Sequence, residues 1–141
     1  MPAIKRILSP YDFSETSAAA VRYGLAVART YGARVILLHV GTQAHADLGT
    51  EFPLGLEGAV EDAVRERLLR ILTPAEQSEF KPELAVRPGV PAAEIVQYAE
   101  DQNVDLIVMG THGRGGMAHL VLGSVAERIV RGAPCAVLTV R

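Results

Sequence analysis

The chain has one cysteine, Cys135, in 141 residues. A single thiol excludes an internal disulfide, and its apolar flanks on a strand-like run suit a reducing compartment and a place in the core. The sequence also lacks an excess of either charge: 14 basic and 16 acidic residues are interspersed and leave a formal net charge of −2. No basic field is available to recruit nucleic acid. Long apolar runs are missing too, since none approaches the roughly 18 residues of a membrane span, and the first residues carry no basic-then-apolar leader. The expectation is a cytoplasmic protein whose partners include neither nucleic acid nor membrane.

Several chemical motifs are absent as well. No Gly-x4-Gly-Lys-Ser/Thr occurs, which excludes a P-loop ATPase in its usual form. Gly113-Arg114-Gly115-Gly116-Met117-Ala118 fits G-x-G-x-x-A in form, but no later acidic residue is placed for a dinucleotide ribose, so a dehydrogenase is not expected. A receiver domain needs an acidic cluster at its strand ends, where Asp12 stands alone. No Ser/His/Asp or Cys/His set falls at strand ends with assignable roles. Histidines 39, 45 and 119 lack paired ligand spacing. Neither catalytic nor metal-ligating side chains are therefore assigned.

What the sequence does contain is a high hydrophobic fraction, 49%, in alternating strand-like and helix-like segments. A chain of this length buries about 68% of its unfolded surface, enough for one independent domain spanning residues 1–141. Ile4 to Ser9 is a short β-prone run, and a helix begins at Ser14, with Ala18, Val21, Leu25 and Ala28 at helical spacing to about Tyr31. Gly32 ends it. Arg34 to Val40 contains the unbroken run Val35-Ile36-Leu37-Leu38, the signature of a strand buried on both faces. Gly41 to Leu56 reads as a polar, Gly-containing loop that either lids a pocket or connects elements.

From Glu57 to about Leu72, Val60, Val64, Leu68 and Ile71 form an apolar stripe, with Glu61/Arg65 and Glu66/Arg70 as i,i+4 pairs on solvated faces. Glu83 to Arg87 is a weaker strand. Gly89 then turns the chain, and Pro91 takes a first helical position ahead of Ile95, Val96 and Ala99. Asp105 to Met109 is another buried strand, Ser124 to Arg131 a last helix, and Cys135 to Val140 a last strand. Five strands alternating with four helices predict an α/β fold, a single open, mostly parallel five-stranded sheet with helices on both faces and right-handed crossovers.

Ligands of such sheets bind beyond the carboxyl ends of the strands, where strand order reverses. Three segments would meet there: Pro10-Tyr11-Asp12 after the first strand, Val40-Gly41 after the second, and Gly110-Thr111-His112-Gly113-Arg114-Gly115-Gly116 after the fourth. A carboxylate at Asp12 suits ribose hydroxyls, main chain near Val40 suits an adenine edge, and a glycine loop running into a helix N-terminus suits phosphates. Glycines let amide N–H groups approach an anion with no Cβ in the way, and the helix start adds free donors and a favourable dipole.

Simpler readings stand beside these. Gly110 and Gly113 also suit a tight strand-to-helix turn, and Asp12 suits the capping of the helix at Ser14. Ser124-x-x-Glu127 matches a capping box. Arg114 is either a phosphate contact or a solvated charge, and His112 either a base or a pocket wall.

The pattern Gly110-x2-Gly113-x9-Gly123-Ser124, together with Ile7-Leu8-Ser9-Pro10-Tyr11-Asp12-Phe13-Ser14 and Ala133-Pro134-Cys135-Ala136-Val137-Leu138-Thr139-Val140, resembles the universal stress protein family. The resemblance spans essentially the whole chain, and the glycine pattern is that of the family's ATP-binding branch. It implies a Rossmann-like architecture of the adenine-nucleotide alpha-hydrolase type. It also implies that Pro10, Tyr11 and Asp12 line the adenosine pocket, that Val40 contacts adenine, and that Gly110, Gly113, Arg114, Gly115, Gly123 and Ser124 surround the phosphates. Met109, Thr111, His112 and Val125 complete the candidate set.

By the same resemblance ATP is the expected ligand, with Mg2+ arriving on the triphosphate and held by its oxygens. The family further implies a homodimer joined through Cys135 to Val140, a role in stress survival, and a protein partner that the residues do not specify. The loop offers no convincing general base and no carboxylate placed for a metal, so any ATP hydrolysis is expected to be slow or partner-dependent. A nucleotide-independent dimeric interaction protein, or an enzyme acting on an adenylated substrate, is the alternative.

Overall fold

Val35, Ile36, Leu37 and Leu38 are each at most 2% exposed, as their unbroken apolar run requires of a strand covered on both sides. They lie in an inner strand of the sheet, next to the central one, in a computed structural model that describes residues 3–41, 56–111 and 122–141. In chain order the elements are β1 (Arg6–Pro10), α1 (Glu15–Tyr31), β2 (Arg34–Gly41), α2 (Leu56–Leu69) and α3 (Pro74–Phe80). They continue with β3 (Glu83–Pro88), α4 (Pro91–Asp101), β4 (Leu106–Gly110), α5 (Ser124–Gly132) and β5 (Ala136–Val140).

The strands form one sheet in the order β3-β2-β1-β4-β5, with every neighbouring pair parallel. This is the open five-stranded parallel sheet expected from the alternation. The chain steps outward from β1 to β3 and then returns to lay β4 against the other side of β1. Strand order therefore reverses between β1 and β4.

Side-chain alternation along each strand feeds two cores. Leu8, Ile36, Leu38, Ile107 and Met109 face α4 and α5 and pack with Ile95, Ala99, Ala126 and Ile129. Ile7, Val35, Leu37 and Val108 face the other way, against Val21, Leu25 and Ala28 of α1. Val64 and Leu68 of α2 extend that second face over Val86. Each such fully buried aliphatic side chain contributes roughly 1.5–3 kcal/mol of transfer free energy.

The helix ends follow from local chemistry. Ser14 caps α1 by accepting from the Ser17 amide, and Gly32 closes it in the left-handed conformation at φ 64°, where a Cβ is unfavourable. Both predicted ion pairs of α2 form, Glu61–Arg65 at 3.0 Å and Glu66–Arg70 at 3.5 Å. α2 ends at Leu69, and Ile71 and Leu72 close a tighter i→i−3 turn after it.

Two expectations need correction. α3 adds a helix to the expected four: it has no apolar stripe, and none of its residues is buried. Its signal is local, since Thr73 and Glu76 form a reciprocal capping box and Pro74 occupies the first turn. The second concerns α5, which starts at Ser124 with Gly123 as its cap residue. The capping box expected at Ser124 does not form, because the cap falls one residue earlier on a glycine that has no side chain to accept with. The Glu127 amide donates to the Gly123 carbonyl at 2.9 Å, and the Glu127 carboxylate pairs with Arg131 at 2.9 Å instead of reaching back to the cap.

Among the described residues no helix is long and apolar enough to cross a membrane. Cys135 precedes β5 by one residue and is half-buried against the α4–α5 core. Burial, reinforced by the Asp105 charge, pushes its thiol pKa up.

Candidate functional site

Parallel strands that part company at their carboxyl ends leave a crevice, and β1 does so on both sides. Its ladder with β4 covers only Ile7↔Leu106 and Leu8↔Ile107, while its ladder with β2 stops at Pro10↔Leu38. The buried Ser9 hydroxyl spans the start of the gap by donating to the Val108 carbonyl at 3.1 Å. The carboxyl ends of β2, β1 and β4 lie side by side here, so the described parts of all three candidate segments converge.

On the β1 side the chain leaves the sheet as Pro10-Tyr11-Asp12-Phe13. The Tyr11 amide makes one last bond to the Leu38 carbonyl, at 2.8 Å. Asp12 is half-buried, and its Oδ1 accepts from the amide of Ser14 at 3.0 Å and from the Ser14 hydroxyl. The turn-capping reading of Asp12 is thus realised. Phe13 takes φ 66°, in the left-handed region that a bulky side chain seldom enters.

On the β2 side, strand parity decides what Val40 offers. The Leu38 carbonyl points toward β1 and the Gly41 carbonyl toward β3, where it accepts from Gly89 at 3.2 Å. Val40 shares the parity of Leu38, so its N–H and C=O point to the β1 side, past the last β1 residue in the ladder. Its side chain is buried in the α4–α5 core. Only main chain is presented at this position.

On the β4 side, Met109 is a core side chain and Thr111 is buried. The Thr111 amide donates to Val140 at 2.8 Å, and its carbonyl accepts from the Gly123 amide at 2.7 Å. That second bond ties the two ends of the glycine pattern together and sets the start of α5 on the carboxyl end of β4. The amides of Ser124, Val125 and Ala126 precede Glu127, the first amide that donates within the helix, as in any helix start. Ser124 and Val125 are exposed there. His112, Gly113, Arg114 and Gly115 lie outside the described residues, as does most of the 41–56 loop.

Gly110 has a packing role of its own. A Cβ at this position would lie 2.7 Å from Thr16 Oγ1 and 2.8 Å from the Thr16 backbone carbon, so the first turn of α1 approaches β4 only because glycine is here. Thr16, Phe13 and His39 were not singled out as site residues from the sequence. His39 was weighed only as a metal ligand, yet strand parity puts it on the face opposite Val40, toward Phe13. Its Nδ1 lies 2.8 Å from the Tyr11 carbonyl. Among the described residues no cluster of His, Cys, Asp or Glu could hold a metal ion.

An all-parallel open sheet, with a crevice at the reversal of strand order and a helix N-terminus at one wall, defines a Rossmann-like α/β protein. The chain belongs to the universal stress protein family, whose model matches residues 3–141. It is 35% identical over 144 residues to universal stress protein MJ0531 of Methanocaldococcus jannaschii, an alignment covering 97% of this chain and 82% of that one. The solved structure of MJ0577, a universal stress protein of the same organism, superposes with a TM-score of 0.80 at 32% identity, over 99% of this chain and 96% of that one. A universal stress protein solved in complex with cAMP shares the fold at 23% identity, with a TM-score of 0.64 over 99% and 98% of the two chains.

Proposed function

We propose that the crevice between β1 and β4 binds an adenine nucleotide, ATP above all, and that the chain acts as a homodimeric nucleotide-dependent switch of the cytoplasmic stress response. The observation that carries the reading is the Gly123 N–H to Thr111 carbonyl bond, which gathers Gly110, Thr111, Gly123 and Ser124 at one helix start across from Tyr11 and Asp12. In this reading the amides of Ser124 and Val125, with the glycine loop of residues 110–116, meet the phosphates. Asp12 meets the ribose, and the main chain of Val40, which points to the β1 side, meets the adenine edge. Mg2+ travels with the triphosphate and is held by its oxygens. Hydrolysis is slow or partner-dependent, and the bound nucleotide selects a conformation or partner.

Dimerisation through β5 is supported by that strand's place at the sheet edge and by the exposed Leu138 on it. An unpaired parallel edge is a template for a second strand.

A second reading, a nucleotide-independent interaction protein, is favoured by two observations: Gly110 is required by Thr16, and Asp12 is engaged by Ser14. Calorimetric titration with ATP, ADP and AMP under magnesium separates the two. Saturable heat is expected, with loss in Gly123→Val, a position at φ −59° that any residue can adopt. At 100 times the dissociation constant a ligand adds about 2.7 kcal/mol of stability. No heat and no melting shift with any of the three nucleotides overturns the nucleotide reading in favour of the second.

A further inference from the structure

Phe13 holds a backbone conformation that a bulky side chain keeps only where its surroundings over-determine it. Three groups surround its ring. Tyr11 meets it edge to face at 4.9 Å and 81°, His39 meets it at 5.1 Å and 61°, and the Arg67 guanidinium lies 4.1 Å above its centroid. Tyr11 and His39 are tied to each other through the Tyr11 carbonyl. A carbonyl only accepts, so His39 Nδ1 carries the proton of that bond.

Tyr11 and His39 are anchored by β1 and β2. Arg67 comes from α2, seated on the sheet by Val64 and Leu68 over Val86. Its neighbours Arg65 on the same helix and Arg70 just past the helix end pair with Glu61 and Glu66, whereas Arg67 forms no ion pair among the described residues. Its planar cation is committed to the ring instead. The Tyr11 hydroxyl senses the same group: burial and then the Asp12 charge raise its pKa, and Arg67 opposes them.

We propose that Arg67 is a positioning residue for the crevice, clamping the strained Phe13 so that the β1–α1 turn presents Tyr11 and Asp12 to a nucleoside. The proposal rests on the nucleotide reading above. Asp12 lies between a clamped Tyr11 and a clamped Phe13, so the direction of its carboxylate follows from the Phe13 backbone. α2 thereby sets the shape of a turn it does not belong to.

The test uses the whole chain with Arg67→Leu, Arg67→Lys and Phe13→Leu, and Arg70→Gln, an exposed cation just past the end of α2, as the control. Hydrogen exchange of the nucleotide-free protein is expected to rise in residues 11–15 for Arg67→Leu and Phe13→Leu, with β2 and β4 protection unchanged. Calorimetry is expected to show adenosine, AMP and ATP all weakened by the same factor in Arg67→Leu, on the order of threefold for an exposed cation–π contact. Arg67→Lys restores part of the affinity, because it keeps the charge without the planar stack, and Arg70→Gln matches the wild type.

Unchanged exchange at residues 11–15 overturns the proposal. So does a loss that grows with phosphate number, since that marks Arg67 as a charge acting on phosphates. A wild type that binds none of the three ligands overturns the nucleotide reading itself and the role built on it. A wild type that binds, beside an Arg67→Leu variant of equal affinity, overturns the proposal alone.

Discussion

A glycine at a strand end reads the same whether it admits an anion or a neighbouring helix, and Gly110 does the second whatever it does for the first. Thr16 fills the space where a Cβ would stand. Gly110→Ala should therefore destabilise the fold by about 1–3 kcal/mol, the usual cost of overpacking, as read by urea unfolding without nucleotide. Thr16→Ala in the same chain should restore only part of that loss, because the Thr16 backbone carbon at 2.8 Å stays in place. An unchanged midpoint for Gly110→Ala would show that α1 yields freely at its first turn. Gly123 is the cleaner probe of anion approach for this reason. Ser124 teaches a related lesson, since its match to a capping box was a match of letters. The cap fell one residue earlier, where Gly123 is pinned by the Thr111 carbonyl from another element.

At the scale of elements, amphipathic stripes located the long helices and the buried runs located the strands, because burial of one face is written every three or four residues in a helix. α3 escaped that reading. Phe80 alone packs against the α1-side core, and the rest of what holds it is end chemistry and surface pairing: the Thr73–Glu76 box, Arg22 to Glu76 at 2.6 Å, and Arg29 to Glu79 at 2.7 Å. The Glu76 carboxyl is held below its ordinary value of 4.5, first by the Thr73 amide and then by Arg22. A carboxyl lowered in the folded chain stabilises it above the ordinary value, and that contribution is lost as pH falls through the lowered one. Glu76→Gln should thus lower the melting temperature at pH 7, by the equivalent of less than about 1 kcal/mol for a solvent-screened pair. The gap between variant and wild type should narrow as the pH falls from the ordinary value of 4.5 through the lowered one. A gap that stays constant with pH would mean that the charge of Glu76 does not contribute.

The whole molecule presents β5 as an edge strand whose other side has no partner among the described residues, with Leu138 37% exposed on it. If the dimer forms there, Leu138→Lys should shift the chain from dimer to monomer in sedimentation velocity, as charges on an edge oppose strand pairing. A wild type that sediments as a monomer, or a variant that stays dimeric, would remove β5 as the interface.

The order of elements, the two-faced burial of the central strands and the residue types at each strand end were set by the sequence alone, because burial periodicity and turn chemistry are local and act within a few residues. Strand order was not local. β4 lies beside β1 through pairing across about a hundred residues, and only that placement brings Tyr11, Val40 and Gly110 to one crevice. The Phe13 clamp is the extreme case: its four members come from the β1–α1 turn, β2 and α2, so no stretch of sequence contains it. Packing decided it, since the left-handed turn at Phe13 is unfavourable on its own and persists only where neighbours from other elements close around the ring.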